Sequence, residues 1–157
     1  FRNAVNYIAF VGKKEEQTKV GYYGEAIVLK LQELGINTCW VAVSYSKRKT
    51  ALKINKGETI LCVISFGYGE TQGTMHRSKK AADVSEVIGE KPSWFDAGVE
   101  AALLAPTAVN QQRFKVICEN GIITIRPNGI GYYVNIDLGI IKYHFEAVTK
   151  KKAEVIN

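Results

Sequence analysis

The stretch that decides the fold runs from Gly21 to Val43 and reads GYYGEAIVLKLQELGINTCWVAV. It holds apolar residues at the four- and three-residue spacing of one helix face, namely Tyr23, Ile27, Leu31 and Leu34. Because polar residues such as Glu25 are few, the pattern predicts a mostly buried helix with that apolar face toward the core. Gly35 is a residue type that commonly ends a helix, and the apolar run Thr38 to Val43 then predicts a central strand.

The turn between this helix and strand, Gly35 to Trp40, contains small and polar residues. A planar ligand could approach the backbone there, since glycine removes side-chain bulk. Spacing alone favours a plain turn without a ligand, so the pattern leaves both interpretations open.

The 157 residues suit one domain or part of a larger protein, and 46% hydrophobic with 23% charged residues is ordinary for a globular core. No apolar run has the length needed to cross a bilayer, and no signal-peptide pattern is visible. The sequence begins at Phe1 with a strand-like segment and no lead-in. We therefore expect residues 1–157 to be a single domain forming the C-terminal part of a longer chain.

The formal net charge of +6 and the pI of about 9.2 are compatible with nucleic acid, a membrane surface or a phosphate-bearing ligand as partner. The positive charge lies in short clusters that are each typical of a solvated surface: 13–14, 47–49, 77–80 and 150–152. Cys39, Cys62 and Cys118 form neither a zinc-binding spacing nor a disulfide framework. This favours a reducing cytoplasm, with no metal site.

Helices and strands are mixed along the rest of the chain and predict an α+β domain with one core. The first predicted elements are a strand Val5–Val11, a charged loop Lys13–Lys19, a loosely helical segment Ser46–Ile54 and a buried strand Thr59–Phe66. Next come a helical turn Val84–Ile88, a helix Trp94–Leu104 capped by Ser93, and strands Phe114–Cys118 and Ile122–Ile125. Asn120-Gly121 predicts a tight hairpin turn between the last two strands.

A final helix is predicted from its apolar stripe, Leu138, Ile141, Phe145 and Val148. Asp137 is expected to cap this helix at its N-terminus. The tail that follows, Lys150 to Asn157, is expected to be frayed.

Gly67 to Lys80 is a glycine-rich loop that ends in the cluster His76-Arg77-Ser78-Lys79. Its glycines lack the spacing of the dinucleotide fingerprint, and no phosphate-loop motif occurs. Basic side chains that flank a hydroxyl could clamp a phosphate. Taken alone, the cluster is more typical of a solvated basic loop.

A polar segment, Ala105 to Phe114, reads APTAVNQQRF and carries three neutral amides. Amides donate and accept hydrogen bonds, so they could contact the edge of a ring that does both, although alone the segment is typical of a polar loop. The two histidines, His76 and His144, have no partner nucleophile in an elbow motif and no metal-type spacing. Any difficult chemistry would therefore come from a cofactor.

Four stretches, taken in this order, resemble the nitroreductase family of flavoproteins, in particular the branch found in clostridia and thermophiles. They are GYYGEAIVLKLQELGINTCWV, FGYGETQGTMHRSK, PSWFDAGVEAALLAPTAVNQQRF and NIDLGIIKYHFE. The resemblance covers Gly21 to Val148. It implies the nitroreductase-like fold, with a central, mostly antiparallel sheet flanked by helices, and FMN as a non-covalent cofactor.

The resemblance assigns the cofactor to three groups of residues. The turn and strand would lie at the flavin ring through Thr38, Cys39, Trp40, Val41 and Ala42. The polar segment would line or face the ring through Pro106, Thr107, Asn110 and Gln112. The basic cluster would bind the phosphate through His76, Arg77, Ser78 and Lys79.

The sequence also departs from the family pattern. Ala42 stands where relatives often carry glycine, Arg113 replaces a proline and Phe114 replaces a tryptophan. The family's N-terminal Arg-x-Ser-x-Arg phosphate segment does not occur in these residues. A longer chain or a partner would have to supply it.

The activity implied by the resemblance is ping-pong hydride transfer through flavin N5, from NAD(P)H to a nitroaromatic, a quinone or a similar aromatic acceptor. It needs no catalytic side chain. A homodimer or a pseudo-dimeric monomer is expected, with neither nucleic acid nor membrane as a partner. Two alternatives remain open: a non-catalytic flavin-binding, storage or sensing protein of the same fold, and a basic nucleic-acid-binding domain with salt-dependent affinity.

Overall fold

The computed structural model describes residues 5–43 and 52–156. The strands are β1 Asn6–Gly12, β2 Asn37–Val41, β3 Thr59–Gly67, β4 Ser85–Ile88, β5 Phe114–Glu119, β6 Ile122–Pro127 and β7 Ala153–Val155. The α-helices are α1 Gln17–Glu33, α2 Ala81–Val84, α3 Phe95–Leu104 and α4 Val134–Thr149. Single 3-10 turns occupy Lys14–Glu16 and Ala108–Asn110. None of these described helices combines the length and the apolar content that crossing a bilayer requires.

The described strands form two sheets. β3 lies between β1 and β2, antiparallel to both. The second sheet has the order β4-β5-β6-β7, in which β5 and β6 are antiparallel while β4 and β7 run parallel to their neighbours. The α+β class and the mostly antiparallel pairing are therefore confirmed. The described strands are divided between two sheets instead of one central sheet.

The hairpin between β5 and β6 follows from its turn residues. Asn120 and Gly121 both have positive φ, 50° and 83°, which is the backbone geometry of a type I′ turn. This turn matches the twist of the flanking strands, so Glu119 pairs directly with Ile122. The predicted hairpin is confirmed, as is the buried strand β3.

The main core lies between α3, α4 and the second sheet. Phe95 of α3, Phe114 of β5 and Phe145 of α4 are almost fully buried there. Burying a large aromatic side chain contributes roughly 1.5–3 kcal/mol each, so this trio anchors the helices to the sheet. α1 packs along α4, which brings the first half of the chain onto the same core.

The prediction of which α1 face is buried is wrong. Tyr23 is 63% exposed and Leu34 61% exposed, whereas Glu25, expected among the polar positions, is only 1% exposed. The buried face carries Gly21 and Gly24. Glycines let α4 and the Trp40 ring approach the α1 backbone closely, which apolar periodicity does not reveal.

Several other local predictions are also wrong. Lys13–Lys19 is a 3-10 turn followed by the start of α1, and 85–88 is strand β4 beside β5. The expected frayed tail contains β7, which pairs with β6. The helix after Pro92 begins at Phe95 without a side-chain cap from Ser93. Most of the predicted helical segment 46–54 lies outside the described residues.

The last helix also differs from its prediction. α4 begins at Val134, so Asp137 lies inside the helix and does not cap it. Leu138, Ile141 and Phe145 are buried as expected, but Val148 is exposed. The helix starts earlier because Tyr133 takes a left-handed conformation, with φ of 53°, and turns the chain into it.

Candidate functional site

A pocket of about 140 Å³ lies where the end of β2 meets the segment after α3 and the start of α4. It is lined by Trp40, Val41, Ala42, Cys62, Pro106, Thr107, Ala108, Val109, Tyr133, Ile136, Asp137 and Ile140. The walls are mostly apolar, with a few polar groups, as in a typical small-molecule site. Five of the thirteen site residues predicted from the sequence lie in this lining: Trp40, Val41, Ala42, Pro106 and Thr107.

Trp40 is held from behind by a buried carboxylate. Its Nε1 donates to Glu25 Oε2 at 3.0 Å, and its ring stacks on Phe10 with the centroids 6.0 Å apart. The other oxygen of Glu25 lies 2.8 Å from His144 Nε2. The indole is therefore fixed by α1, β1 and, through Glu25, by α4. His144 belongs to this buried network.

The end of β2 presents backbone to the pocket. Tyr133 Oη donates to Ala42 O at 3.3 Å, and Cys62 Sγ donates to Val41 O at 3.4 Å. Burial raises the pKa of the Cys62 thiol to about 11, so this sulfur stays protonated at neutral pH. Thr38 and Cys39, earlier on the same strand, are not in the lining.

The opposite wall is a loop, residues 107–112, with an unusual backbone. Val109, Asn110 and Gln112 have φ of 48°, 54° and 46°, a conformation that non-glycine residues rarely adopt. The loop is closed internally, since Gln112 N donates to Thr107 Oγ1 at 3.0 Å. Backbone strain of this kind is maintained only where surrounding contacts fix it, and it is frequent in binding sites.

Asn110 and Gln112 do not lie in the pocket lining. Gln112 is 3% exposed, and its Nε2 donates to Arg77 O at 2.9 Å. Its Oε1 accepts from Lys79 N at 2.8 Å, while Asn110 Nδ2 donates to Arg77 O at 2.9 Å. Both amides thus hold the backbone of the basic segment on the far side of the loop.

The basic segment 76–79 lies against the end of α3. Ser78 Oγ donates to Leu103 O at 3.2 Å, and His76 Nε2 lies 3.4 Å from Leu104 O. These side chains therefore satisfy carbonyls at the C-terminal end of a helix, where the helix dipole is negative and does not favour an anion. His76 Nδ1 is enclosed and has no hydrogen-bond partner in the part of the chain that the structure describes.

The two cations of this segment differ. Lys79 Nζ donates to Gln112 O at 2.8 Å, so one of its three donors is already engaged. Arg77 is exposed, and its guanidinium makes no hydrogen bond or ion pair within residues 5–43 and 52–156. Of the four predicted phosphate ligands, Arg77 is therefore the one whose side chain has no hydrogen-bond partner among the described residues.

Asp137 is a pocket residue that sequence reasoning missed. Its carboxylate accepts hydrogen bonds from Ala108 N and from Gln111 Nε2, the latter at 2.8 Å. Burial raises the pKa of this carboxyl to about 6, although both hydrogen bonds act in the opposite direction. A signal existed in the sequence, since Asp137 is a lone acid among apolar residues in NIDLGII. Cys62 and Tyr133 carried no comparable signal.

No group of three or more potential metal ligands occurs among the described residues. The polar side chains in the pocket lining are the Asp137 carboxyl, the Thr107 hydroxyl, the Tyr133 phenol, the Cys62 thiol and the Trp40 indole. Such a set can bind and orient a flat, mostly apolar ligand.

Comparison with known proteins gives the family. The family described as "Putative TM nitroreductase" matches residues 1–149, which is nearly the whole sequence. The chain belongs to this family, and the resemblance stated above is confirmed.

A solved structure has the same fold. It is the crystal structure of a "putative nitroreductase" from Thermotoga maritima, with a TM-score of 0.71 and 25% sequence identity. The alignment covers 93% of this chain and 63% of the Thermotoga protein, so the present chain spans less than two thirds of that relative. The nitroreductase-like fold is thus confirmed. A search of curated proteins gave no match.

Proposed function

We propose that this protein is an FMN-dependent NAD(P)H oxidoreductase that reduces nitroaromatics, quinones or similar aromatic acceptors. The observation that carries the proposal is the pocket itself, in a chain of the nitroreductase family. Its two walls, Val41–Ala42 and Pro106–Thr107, come from segments that the family resemblance assigns to the flavin ring.

The residues present fit the ring of the cofactor. Val41, Ala42 and Pro106 supply apolar surface and backbone, and Thr107 adds a hydroxyl. The indole of Trp40 is fixed by the Glu25 carboxylate, so this wall needs little reordering on binding. Flavin analogues with the same flat, amphipathic ring are the natural probes of this surface.

The phosphate end fits less completely. The Arg77 guanidinium is unengaged within the described residues 5–43 and 52–156, and Lys79 retains donors besides the one used by Gln112 O. Ser78 donates to Leu103 O and is held away from an anion. We therefore assign phosphate binding to Arg77, assisted by Lys79.

When bound, FMN supplies the hydride-transfer chemistry. The chain binds the ring, excludes water from one side of it, and keeps the Cys62 thiol protonated beside the pocket. In the proposed ping-pong reaction, NAD(P)H and the acceptor exchange at one face of the bound ring.

The test is a visible absorbance spectrum of the purified full-length protein, followed by turnover assays. The proposal expects a yellow protein that oxidises NADH or NADPH only when a nitroaromatic or quinone acceptor is added. A yellow protein without turnover would support the flavin-storage or sensing alternative. A colourless protein that takes up no added FMN would overturn both. In that case, salt-dependent binding to DNA would support the nucleic-acid alternative.

We further propose a cytoplasmic protein that is either a homodimer or a pseudo-dimeric monomer. The apolar side chains exposed on α1, such as Tyr23 and Leu34, support a contact with another subunit or segment. Light scattering of the full-length protein distinguishes the two forms. A mass of one chain excludes the homodimer.

A further inference from the structure

Asp137 links the pocket to the loop 107–112. It is the fourth residue of α4 and is 5% exposed. Ala108 N lies 3.0 Å from its Oδ1 and 3.2 Å from its Oδ2, and Gln111 Nε2 donates to Oδ2 at 2.8 Å. Both carboxylate oxygens therefore face a donor from the loop. A proton on either oxygen would meet one of these donors.

The amide of Gln111 cannot turn over to receive such a proton. Its Nε2 also donates to Tyr132 O at 2.6 Å, and its Oε1 accepts from Tyr132 N at 3.2 Å. Gly131 permits this close approach, because a Cβ there would lie 2.1 Å from Gln111 Oε1. The orientation of Gln111 thus requires Asp137 to be an acceptor.

The consequences extend through the loop to the basic segment. Asp137 fixes Ala108 and Gln111, which bracket the left-handed residues Val109 and Asn110. Asn110 and Gln112 in turn hold Arg77 O and both nitrogens of Lys79. Hydrogen bonds at both sides of the loop, joined by its backbone, therefore connect the acid in the pocket to the basic segment.

We propose that Asp137 is a positioning residue whose ionised carboxylate sets the loop 107–112, and through it the segment 76–79, for an anionic aromatic ligand. That the ligand is FMN rests on the proposed function. The positioning itself is a property of the chain alone and can be measured without any ligand. Asp137 makes no contact with the reacting atoms in this proposal.

The positioning is pH-dependent, because burial raises the pKa of Asp137 to about 6. The titratable groups that share the pocket lining with it are the Cys62 thiol of β3 and the Tyr133 phenol before α4. β2 and the loop contribute only neutral groups to this lining. As pH falls through 6, the carboxyl gains a proton and a loop hydrogen bond is lost, so the basic segment loses its fixed position.

The test without ligand is a pH titration of the full-length protein by ¹⁵N NMR. The amides of Ala108 and Lys79 should shift together, with one midpoint near pH 6. Asp137→Asn should abolish both transitions, whereas Asp96→Asn, which changes an exposed acid paired with Lys91, should leave them in place. Gln111→Ala should raise the midpoint, since its hydrogen bond stabilises the ionised form. A Lys79 amide that does not follow Ala108 would overturn the proposal.

The test with ligand is equilibrium dialysis against FMN at pH 5 and pH 8. The FMN phosphate itself ionises near pH 6, which changes the affinity of both proteins. The readout is therefore the dissociation constant of Asp137→Asn divided by that of wild type, measured at each pH. At pH 8 the variant should bind about fivefold more weakly, the effect of one net hydrogen bond, and at pH 5 the ratio should approach one. Equal ratios at both values would overturn the positioning role. If neither wild type nor Asp137→Asn binds FMN while the NMR transitions of wild type remain, the proposed function fails and the positioning role of Asp137 is retained.

Discussion

Gly21 of α1 and Gly139 of α4 meet where the two helices cross, backbone against backbone. A Cβ on Gly139 would lie 2.0 Å from Thr18 O and 3.0 Å from the Cα of Gly21. A Cβ on Gly21 would lie 2.0 Å from Ile136 O. The close crossing thus requires glycine, which has no side chain, at both positions. It also determines where the start of α4, with Asp137, lies relative to β2.

We expect Gly139→Ala to lower the free energy of unfolding by about 1–3 kcal/mol or more, because the new methyl group meets backbone that cannot move aside. Alanine is the better helix former, so intrinsic propensity alone would predict the opposite sign. Urea denaturation of both proteins measures the difference.

Gly67→Ala is the matched control for this prediction. A Cβ at Gly67 has no heavy atom within 4 Å, and the residue does not have a positive φ. Its stability should change little. A Gly139→Ala protein as stable as the control would show that the two helices can separate at no cost.

The same crossing explains why the sequence predicts the existence of α1 but not its orientation. Apolar periodicity identifies the stripe with Tyr23 and Leu34, and both are exposed. The buried stripe holds two glycines, one acid and a single apolar residue, Val28. The burial of the acid depends on partners far away in sequence, Trp40 and His144. Hydrophobic patterning carries no information about such partners.

Elements with strong local determinants are predicted correctly from the sequence. The apolar run of β3 and the Asn120-Gly121 turn are of this kind. β4 and β7 have four and three residues, and each is held by parallel pairing with a distant strand. Strands this short cannot be predicted from the local sequence pattern, because their pairing partners lie in a distant hairpin.

The buried Glu25–His144 pair should be strongly coupled. Glu25→Ala leaves Trp40 Nε1 without its acceptor and His144 Nε2 without its partner, and each buried polar group left unsatisfied costs about 1–3 kcal/mol. A double-mutant cycle with His144→Ala should give an interaction energy of about 1–3 kcal/mol. Denaturant unfolding of the four proteins measures it.

The exposed pair Lys30–Glu33 on the same helix is the control for that cycle. Its atoms are as close, 2.7 Å, but both side chains are in water, so its coupling should stay below about 1 kcal/mol. Equal coupling energies for the two pairs would mean that burial adds nothing at Glu25.

Stability should depend on pH through Asp137. Its pKa is raised from 3.8 to about 6 in the folded protein, so the folded state holds the proton more tightly than the unfolded chain. The contribution of this group to the free energy of unfolding is therefore largest below pH 4 and declines as pH rises through 6. The decline amounts to about 3 kcal/mol at most.

The measurement is the difference in unfolding free energy between wild type and Asp137→Asn at pH 4, 5, 6 and 7. Other groups, such as Glu146, whose pKa is lowered by hydrogen bonds from Ala153 and Tyr22, cancel in this difference. Wild type should lose stability relative to the variant as pH rises. A difference that is constant with pH would remove Asp137 from the pH dependence.

The candidate site could be predicted only in part, and for a definable reason. Sequence motifs locate the segments that meet at the pocket, and Val41, Ala42, Pro106 and Thr107 do lie there. Motifs do not say which way a side chain points in a left-handed loop. Asn110 and Gln112 point to the backbone of Arg77 and Lys79, so their contribution to a ligand would be indirect.

Arg77→Ala should weaken FMN retention about tenfold, since one charge-assisted hydrogen bond at an exposed position is worth about 1.5 kcal/mol. Arg126→Ala is the matched control, because it removes the same charge from an exposed position on β6. Equilibrium dialysis of both variants at constant salt gives the affinities. If both lose affinity equally, net charge explains the effect and Arg77 is not a phosphate ligand.

Lys79→Ala should behave differently from Arg77→Ala, although both remove a cation from the same segment. Lys79 Nζ holds Gln112 O at 2.8 Å, so its loss frees the end of the loop that forms the pocket wall. We expect Lys79→Ala to lower both the unfolding free energy and FMN retention, whereas Arg77→Ala lowers retention alone. Urea denaturation beside dialysis separates the two effects. An unfolding free energy unchanged in Lys79→Ala would show that the lysine acts on the ligand and not on the loop.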